Sequence, residues 1–159
     1  MCSSDLSPVG KIAGLLTAER INLNLASPDK PGALREVASL LTGGCISDFD
    51  AFFREILERE RVSNTALGHN VAIPHARTDQ CSQILIAVGR SAGGIEFEAK
   101  DGQPVRLIFL IGTPKQMVTD YLRVVGNLAR LLRQDELRQR LLTVTDPTTF
   151  IQTIADAEG

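Results

Sequence analysis

Asn64-Thr65-Ala66-Leu67-Gly68-His69-Asn70-Val71-Ala72-Ile73-Pro74-His75-Ala76-Arg77 holds both histidines of a 159-residue chain, and it follows neither a helical nor a simple alternating period. Its apolar run Val71-Ala72-Ile73 is long enough for a brief buried strand. Pro74 then removes the next backbone donor and fixes φ, so His75 is presented at a strand end. Imidazole is the side chain most readily used as a nucleophile or proton carrier near neutral pH, and Arg77 adds a permanent cation suited to phosphate or carboxylate.

Upstream of this stretch, Ser7-Pro8 has the N-cap and first-turn chemistry of a short helix through Leu15 or Leu16. Ile21, Leu23 and Leu25 alternate with Asn22 and Asn24 as a strand with one buried face, broken by Ser27-Pro28-Asp29-Lys30-Pro31-Gly32. From Ala33, the positions Leu34, Val37, Ala38 and Leu41 make a helix stripe ended by Gly43-Gly44. Ser47, with Asp50 three residues on, reads as the cap of a second helix that carries Phe49, Phe52, Phe53, Ile56 and Leu57 to about Arg61.

Downstream, Gln83 to Val88 reads as a buried strand and Gly89 to Gly94 as a bend. Ile95 and Phe97 alternate with glutamates, and Lys100-Asp101-Gly102-Gln103 turns the chain into a strand from Val105 to Ile111, an antiparallel pairing. Thr119 is placed to cap a helix carrying Leu122, Val125, Leu128, Ala129 and Leu132. A short helix follows at Leu137 to Leu142, and a last one runs from Pro147 to Ala155. Strands that do not alternate strictly with helices point to an α/β fold with a mixed sheet covered by helices on both faces. The length suits one domain over residues 1–159, with 1–6 frayed.

A net charge of −2, spread over both signs, leaves no basic stripe for nucleic acid, and six Phe, one Tyr and no Trp leave little for base stacking. Cys2, Cys45 and Cys81 are odd in number and lack Cys-x-x-Cys spacing, which fits a reduced, cytoplasmic compartment. The N-terminus has no basic segment followed by a long apolar run, and no segment is apolar enough for membrane insertion.

Several other chemistries find little support. The glycine pairs lack the Lys-Ser/Thr of a phosphate loop. His69, His75 and Asp79 match no common zinc spacing. Ser63 or Thr65 with His75 lacks the Gly-x-Ser-x-Gly elbow of a hydrolase. No metal or cofactor is called for.

The run from Gly68 to Arg77 resembles the phosphorylation-site motif of the enzyme IIA domains of the bacterial phosphotransferase system, in the mannitol/fructose/nitrogen-regulatory branch. The likeness extends to Arg59 upstream and to Gly94-Ile95-Glu96-Phe97-Glu98-Ala99-Lys100-Asp101-Gly102-Gln103-Pro104-Val105 downstream. It implies a three-layer α/β/α domain with a mixed β-sheet flanked by helices. It also implies a phosphoryl group carried on His75, accepted from a phosphohistidine carrier protein of the HPr/NPr type.

Arg59 and Thr65 match the arginine and threonine expected to meet that group, and Asn64 stands beside them where the family commonly has Ser. His69 and Asn70 replace Asn and Gly; asparagine tolerates positive φ, and His69 is expected to cover the loop. Tyr121 occupies the place of a second histidine, and a phenol can donate to phosphate but not share protons at neutral pH. A free-standing chain favours the nitrogen-regulatory kind of carrier. The alternative is a regulatory interaction protein that keeps the fold and binds partners around His75.

Overall fold

The computed structural model describes residues 11–42 and 46–159. Six strands form one sheet: β1 (Ile21–Asn22), β2 (Ala66–Gly68), β3 (Val71–Ala72), β4 (His75–Thr78), β5 (Leu85–Ile95) and β6 (Val105–Pro114). Its order is β1-β5-β6-β3-β2, with β4 also paired to β6. The sheet is mixed, because β5 runs antiparallel to β6 whereas β1 is parallel to β5 and both β3 and β4 are parallel to β6.

β3 and β4 share one register along β6, with Val71 opposite Leu107 and His75 opposite Ile111. They are two halves of one strand line, interrupted where Pro74 can accept a bond from Ile111 N–H (2.8 Å) but cannot donate one. The interruption puts His75 at the start of β4.

Alternation along the long strands divides the core. Ile86, Val88, Leu107, Phe109 and Ile111 face one layer, with Val124, Leu128, Leu137, Leu141, Phe150 and Ile154 from α3 (Val118–Leu131), α4 (Asp135–Thr143) and α5 (Pro147–Glu158). Leu85, Ala87, Ile108 and Leu110 face the other, against Leu34, Val37, Phe52 and Ile56 of α1 (Lys30–Ala38) and α2 (Phe49–Val62). The expected three-layer α/β/α arrangement is present.

Four local expectations are corrected. α1 begins at Lys30, three residues early, because Asp29 caps it through Gly32 N–H (2.8 Å) and Pro31 sits in the first turn, where its missing donor costs nothing. α2 is capped by Asp48, which accepts from Ala51 N–H (3.1 Å), while the Ser47 hydroxyl turns to the Gln80 side chain (2.7 Å). α3 starts at Val118, with Met117 at its cap and no side-chain bond there, so Thr119 is already inside the helix.

β5 continues through Gly89 rather than bending there. A Cβ at Gly89 would lie 2.4 Å from Val37 Cγ2 and 2.8 Å from Leu25 Cδ1, so this glycine admits close helix packing, and the pairing irregularity falls later, between Arg90 and Ile95. Ser7-Pro8 and Gly43-Gly44 lie outside the described residues. The described part of the first expected helix is a 3-10 turn at Ala13–Leu15. No helix among the described residues is long and apolar enough to cross a membrane.

Candidate active site

The break at Pro74 turns the Ile73 carbonyl toward the ring of His75, whose Nδ1 lies 2.8 Å from it. A carbonyl oxygen only accepts, so Nδ1 carries the hydrogen and Nε2 keeps its lone pair. His75 is 8% exposed. Burial, foremost, holds its pKa below the ordinary imidazole value, with nearby Arg59 acting the same way; the bond to Ile73 and the charge of Glu60 oppose them. The ring is thereby kept neutral and in one tautomer.

His75 opens on a cleft of about 340 Å³ lined by Arg59, Ala76, Arg77, Val118, Tyr121 and Leu122. Arg59 reaches it from the last turn of α2, where Nη1 donates to the Ser63 carbonyl (3.1 Å). The surrounding charge run resolves in a way that frees this guanidinium: Glu58 pairs with Arg61 (2.6 Å) and buried Glu60 with Lys30 (2.9 Å). Among the described residues Arg59 makes no ion pair, and its charge faces the cleft.

Tyr121, in the first turn of α3, lies beside His75 with ring centroids 5.4 Å apart, and the Arg77 guanidinium sits 5.9 Å from the same phenol ring. A second groove, of about 520 Å³, shares Arg59, Ala76 and Arg77 and adds Glu55, Glu58, Val62 and Lys115. Two arginines, a phenol and an unprotonated ring nitrogen converge on one opening, a set suited to receiving a tetrahedral dianion.

Thr65 and Asn64 are placed otherwise than expected. The Thr65 hydroxyl donates its one hydrogen to Glu60 Oε1 (2.6 Å), and the buried residue does not line the His75 cleft. Asn64 spends its amide on the Phe97 and Glu98 carbonyls and its oxygen on Ala66 N–H (2.9 Å). His69 is exposed in the β2–β3 turn, where it and Asn70 both take positive φ (56° and 72°), and its N–H donates to Asp101 (2.9 Å). It does not line the His75 cleft.

Glu60, Lys30, Val118 and Leu122 were not singled out from sequence. Leu122 belongs to the apolar stripe expected of α3, yet it is 61% exposed at the cleft, because the helix buries Val124, which that stripe omits, along with Leu128. Among the described residues no group of three or more His, Cys, Asp or Glu side chains is gathered to hold a metal.

The profile of the family described as "Phosphoenolpyruvate-dependent sugar phosphotransferase system, EIIA 2" matches residues 14–157. The chain is 34% identical over 149 residues to the "PTS system fructose-specific EIIA component" of Haloferax volcanii, covering 93% of this chain and 97% of that one. It is 33% identical over 144 residues to the "Nitrogen regulatory protein" of Bradyrhizobium diazoefficiens, covering 91% and 94%. Against the fructose-specific EIIABC component of Bacillus subtilis the identity is 36% over 145 residues, and the match spans 23% of that longer protein.

Among solved structures, the nitrogen regulatory protein IIA-Ntr from Neisseria meningitidis superposes with a TM-score of 0.83 at 29% identity, covering 90% of this chain and 98% of that one. The match of fold, profile and near-full-length relatives has one reading: the chain belongs to the EIIA 2 family of the phosphoenolpyruvate-dependent sugar phosphotransferase system.

Proposed function

We propose that the chain is a phosphoryl carrier that accepts a phosphoryl group on His75 Nε2 from a phosphohistidine carrier protein of the HPr/NPr type and acts as a regulatory IIA component. The observation that carries the reading is the bond from His75 Nδ1–H to the Ile73 carbonyl, which leaves Nε2 unprotonated at the mouth of an arginine-lined cleft. Nε2 supplies its lone pair to phosphorus as the donor's P–N bond breaks, and the donor imidazole leaves with that bond's electron pair. The hydrogen on Nδ1 stays in place.

Charge developing on the equatorial oxygens is met by Arg59, held by its bond to the Ser63 carbonyl, and by Arg77 beside the Tyr121 ring. Tyr121 offers one hydroxyl donor at the place where the family has a second histidine, and a phenol is a far poorer proton carrier than an imidazole. Acceptance is therefore supported more fully than rapid onward transfer. Val118 and Leu122, exposed around the cleft, present the apolar rim against which the donor protein desolvates the site.

Incubation with the general phosphotransferase proteins and phosphoenolpyruvate tests this. The expected product is an acid-labile, base-stable phosphate on the chain. A folded protein that binds the carrier yet takes up no phosphate would instead support the second reading, a non-enzymatic regulatory protein that uses the same surface; the replacement of a histidine by Tyr121 is what keeps that reading in view.

A further inference from the structure

Behind His75 lies a carboxylate that the transfer step does not touch. Glu60 is 6% exposed, in a location where a carboxylate persists only if it is paired and hydrogen-bonded. Its Oε1 accepts from the Thr65 hydroxyl (2.6 Å), and its Oε2 accepts from Thr65 N–H (3.0 Å) and pairs with Lys30 Nζ (2.9 Å). Thr65 is thus gripped by two bonds from one carboxylate. Its carbonyl accepts from Ile73 N–H (3.1 Å), and the Ile73 carbonyl accepts from His75 Nδ1 (2.8 Å).

We propose that Glu60 is a positioning residue for phosphoryl transfer: through Thr65 and the Ile73 backbone it holds the carbonyl that selects the His75 tautomer and leaves Nε2 free. The coupling is geometrical. The N–H and C=O of Ile73 belong to adjacent peptide planes, so what passes along the chain is position rather than polarisation of one amide. Pro74, which cannot donate, leaves this stretch with few alternative anchors, and the Thr65 clamp substitutes for the missing ladder bond.

A glutamine at this position has the same shape but one acceptor oxygen and two amide hydrogens. With its oxygen at the Oε2 position it accepts from Thr65 N–H and Lys30 but turns amide hydrogens on the Thr65 hydroxyl, which loses its acceptor; flipped, it presents those hydrogens to Thr65 N–H and Lys30, so in either orientation a buried donor is left unmatched.

The inference rests on the assignment of His75 as the phosphoryl-bearing residue, and its test has an arm that needs no phosphoryl donor. Protein labelled with ¹⁵N in its histidines is compared above neutral pH as wild type, Glu60→Gln, Thr65→Val and, as a surface control, Glu136→Gln, whose exposed carboxylate pairs with Arg140 within α4. In wild type the ring nitrogen shifts should report Nδ1–H with Nε2 unprotonated.

Glu60→Gln should move the ring toward a mixture with the Nε2–H tautomer and slow phosphoryl acceptance about tenfold, the equivalent of one lost buried hydrogen bond. Thr65→Val keeps the N–H bond and should show a smaller change of the same kind, and Glu136→Gln none. A folded Glu60→Gln with wild-type ring shifts and acceptance overturns the proposal. If that variant does not fold, Thr65→Val decides, and unchanged ring shifts there overturn it. A wild type that takes up no phosphoryl group overturns the carrier reading itself, an outcome distinct from the ring shifts.

Discussion

Replacing Arg59 by alanine separates a side chain that shapes the transition state from one that supports the fold. On the stability side, the guanidinium contributes one bond to the Ser63 carbonyl and, among the described residues, no ion pair. Such a partly solvated contact is worth about 0.5–1 kcal/mol, which for a chain of this size lowers Tm by about 1–4 °C. On the chemical side, the lost group is a fixed cation aimed at developing charge in a partly desolvated cleft. Removal of one preorganised donor of that kind costs about 2.7–4 kcal/mol, or about 10²–10³ in rate.

Single-turnover phosphoryl acceptance, measured with thermal unfolding on the same samples, reads both numbers. Arg59→Lys should fall between, because an ammonium restores charge without the planar fork. An acceptance rate within about tenfold of wild type, or a drop in Tm much larger than a few degrees, would show that Arg59 is structural and that another group meets the phosphoryl oxygens.

Tyr121→Phe should shorten the phosphohistidine lifetime by removing one donor worth about 1.5–3 kcal/mol to a charged acceptor, and Tyr121→His should make its decay faster and more pH-dependent between about pH 6 and 8; labelled-phosphate decay across pH compares the three forms, and superimposable profiles would place Tyr121 outside the site. Gly89→Ala must displace Val37 and Leu25, which a Cβ would overlap, and should cost about 1–3 kcal/mol in urea unfolding. His75 has a folded-state pKa below its ordinary value of 6.5, so the unfolded chain binds the extra proton first. Its contribution to stability is present above about pH 6.5 and is lost as pH falls through the folded pKa. The Tm of wild type should therefore decline over that window relative to His75→Ala, and parallel curves would refute the burial effect.

Much of the fold was legible because most elements bury one face. The stripe Leu34-Val37-Ala38-Leu41 and the apolar run from Val105 to Ile111 meet the core as their periods require. What was misread depended on neighbours distant in sequence. Gly89 looked like a bend because a glycine that clears Val37 has the same local signature as one that turns the chain. Leu122 fits the stripe of α3, but the rotation of that helix was decided by the packing of Val124 and Leu128, which turned Leu122 to the cleft.

The site was legible in its first members and opaque in its supports. His75, Arg59 and Tyr121 do converge. Thr65 is expected at the phosphoryl group because it matches the family's threonine; its hydroxyl is engaged because α2 brings Glu60 within 2.6 Å of it. Glu60 itself sat in a charge run, Glu58-Arg59-Glu60-Arg61, that reads as a solvated face until Lys30 of α1 is docked against it.

Phosphoryl transfer is expected to pass through His75 alone. Intact-mass measurement of wild type and His75→Ala, after incubation with phosphoenolpyruvate and the general phosphotransferase proteins, tests it most directly. The wild type should gain a single phosphoryl group that is lost in acid and kept in base, and the variant should gain none; persistence of the full mass shift in His75→Ala would contradict the assignment.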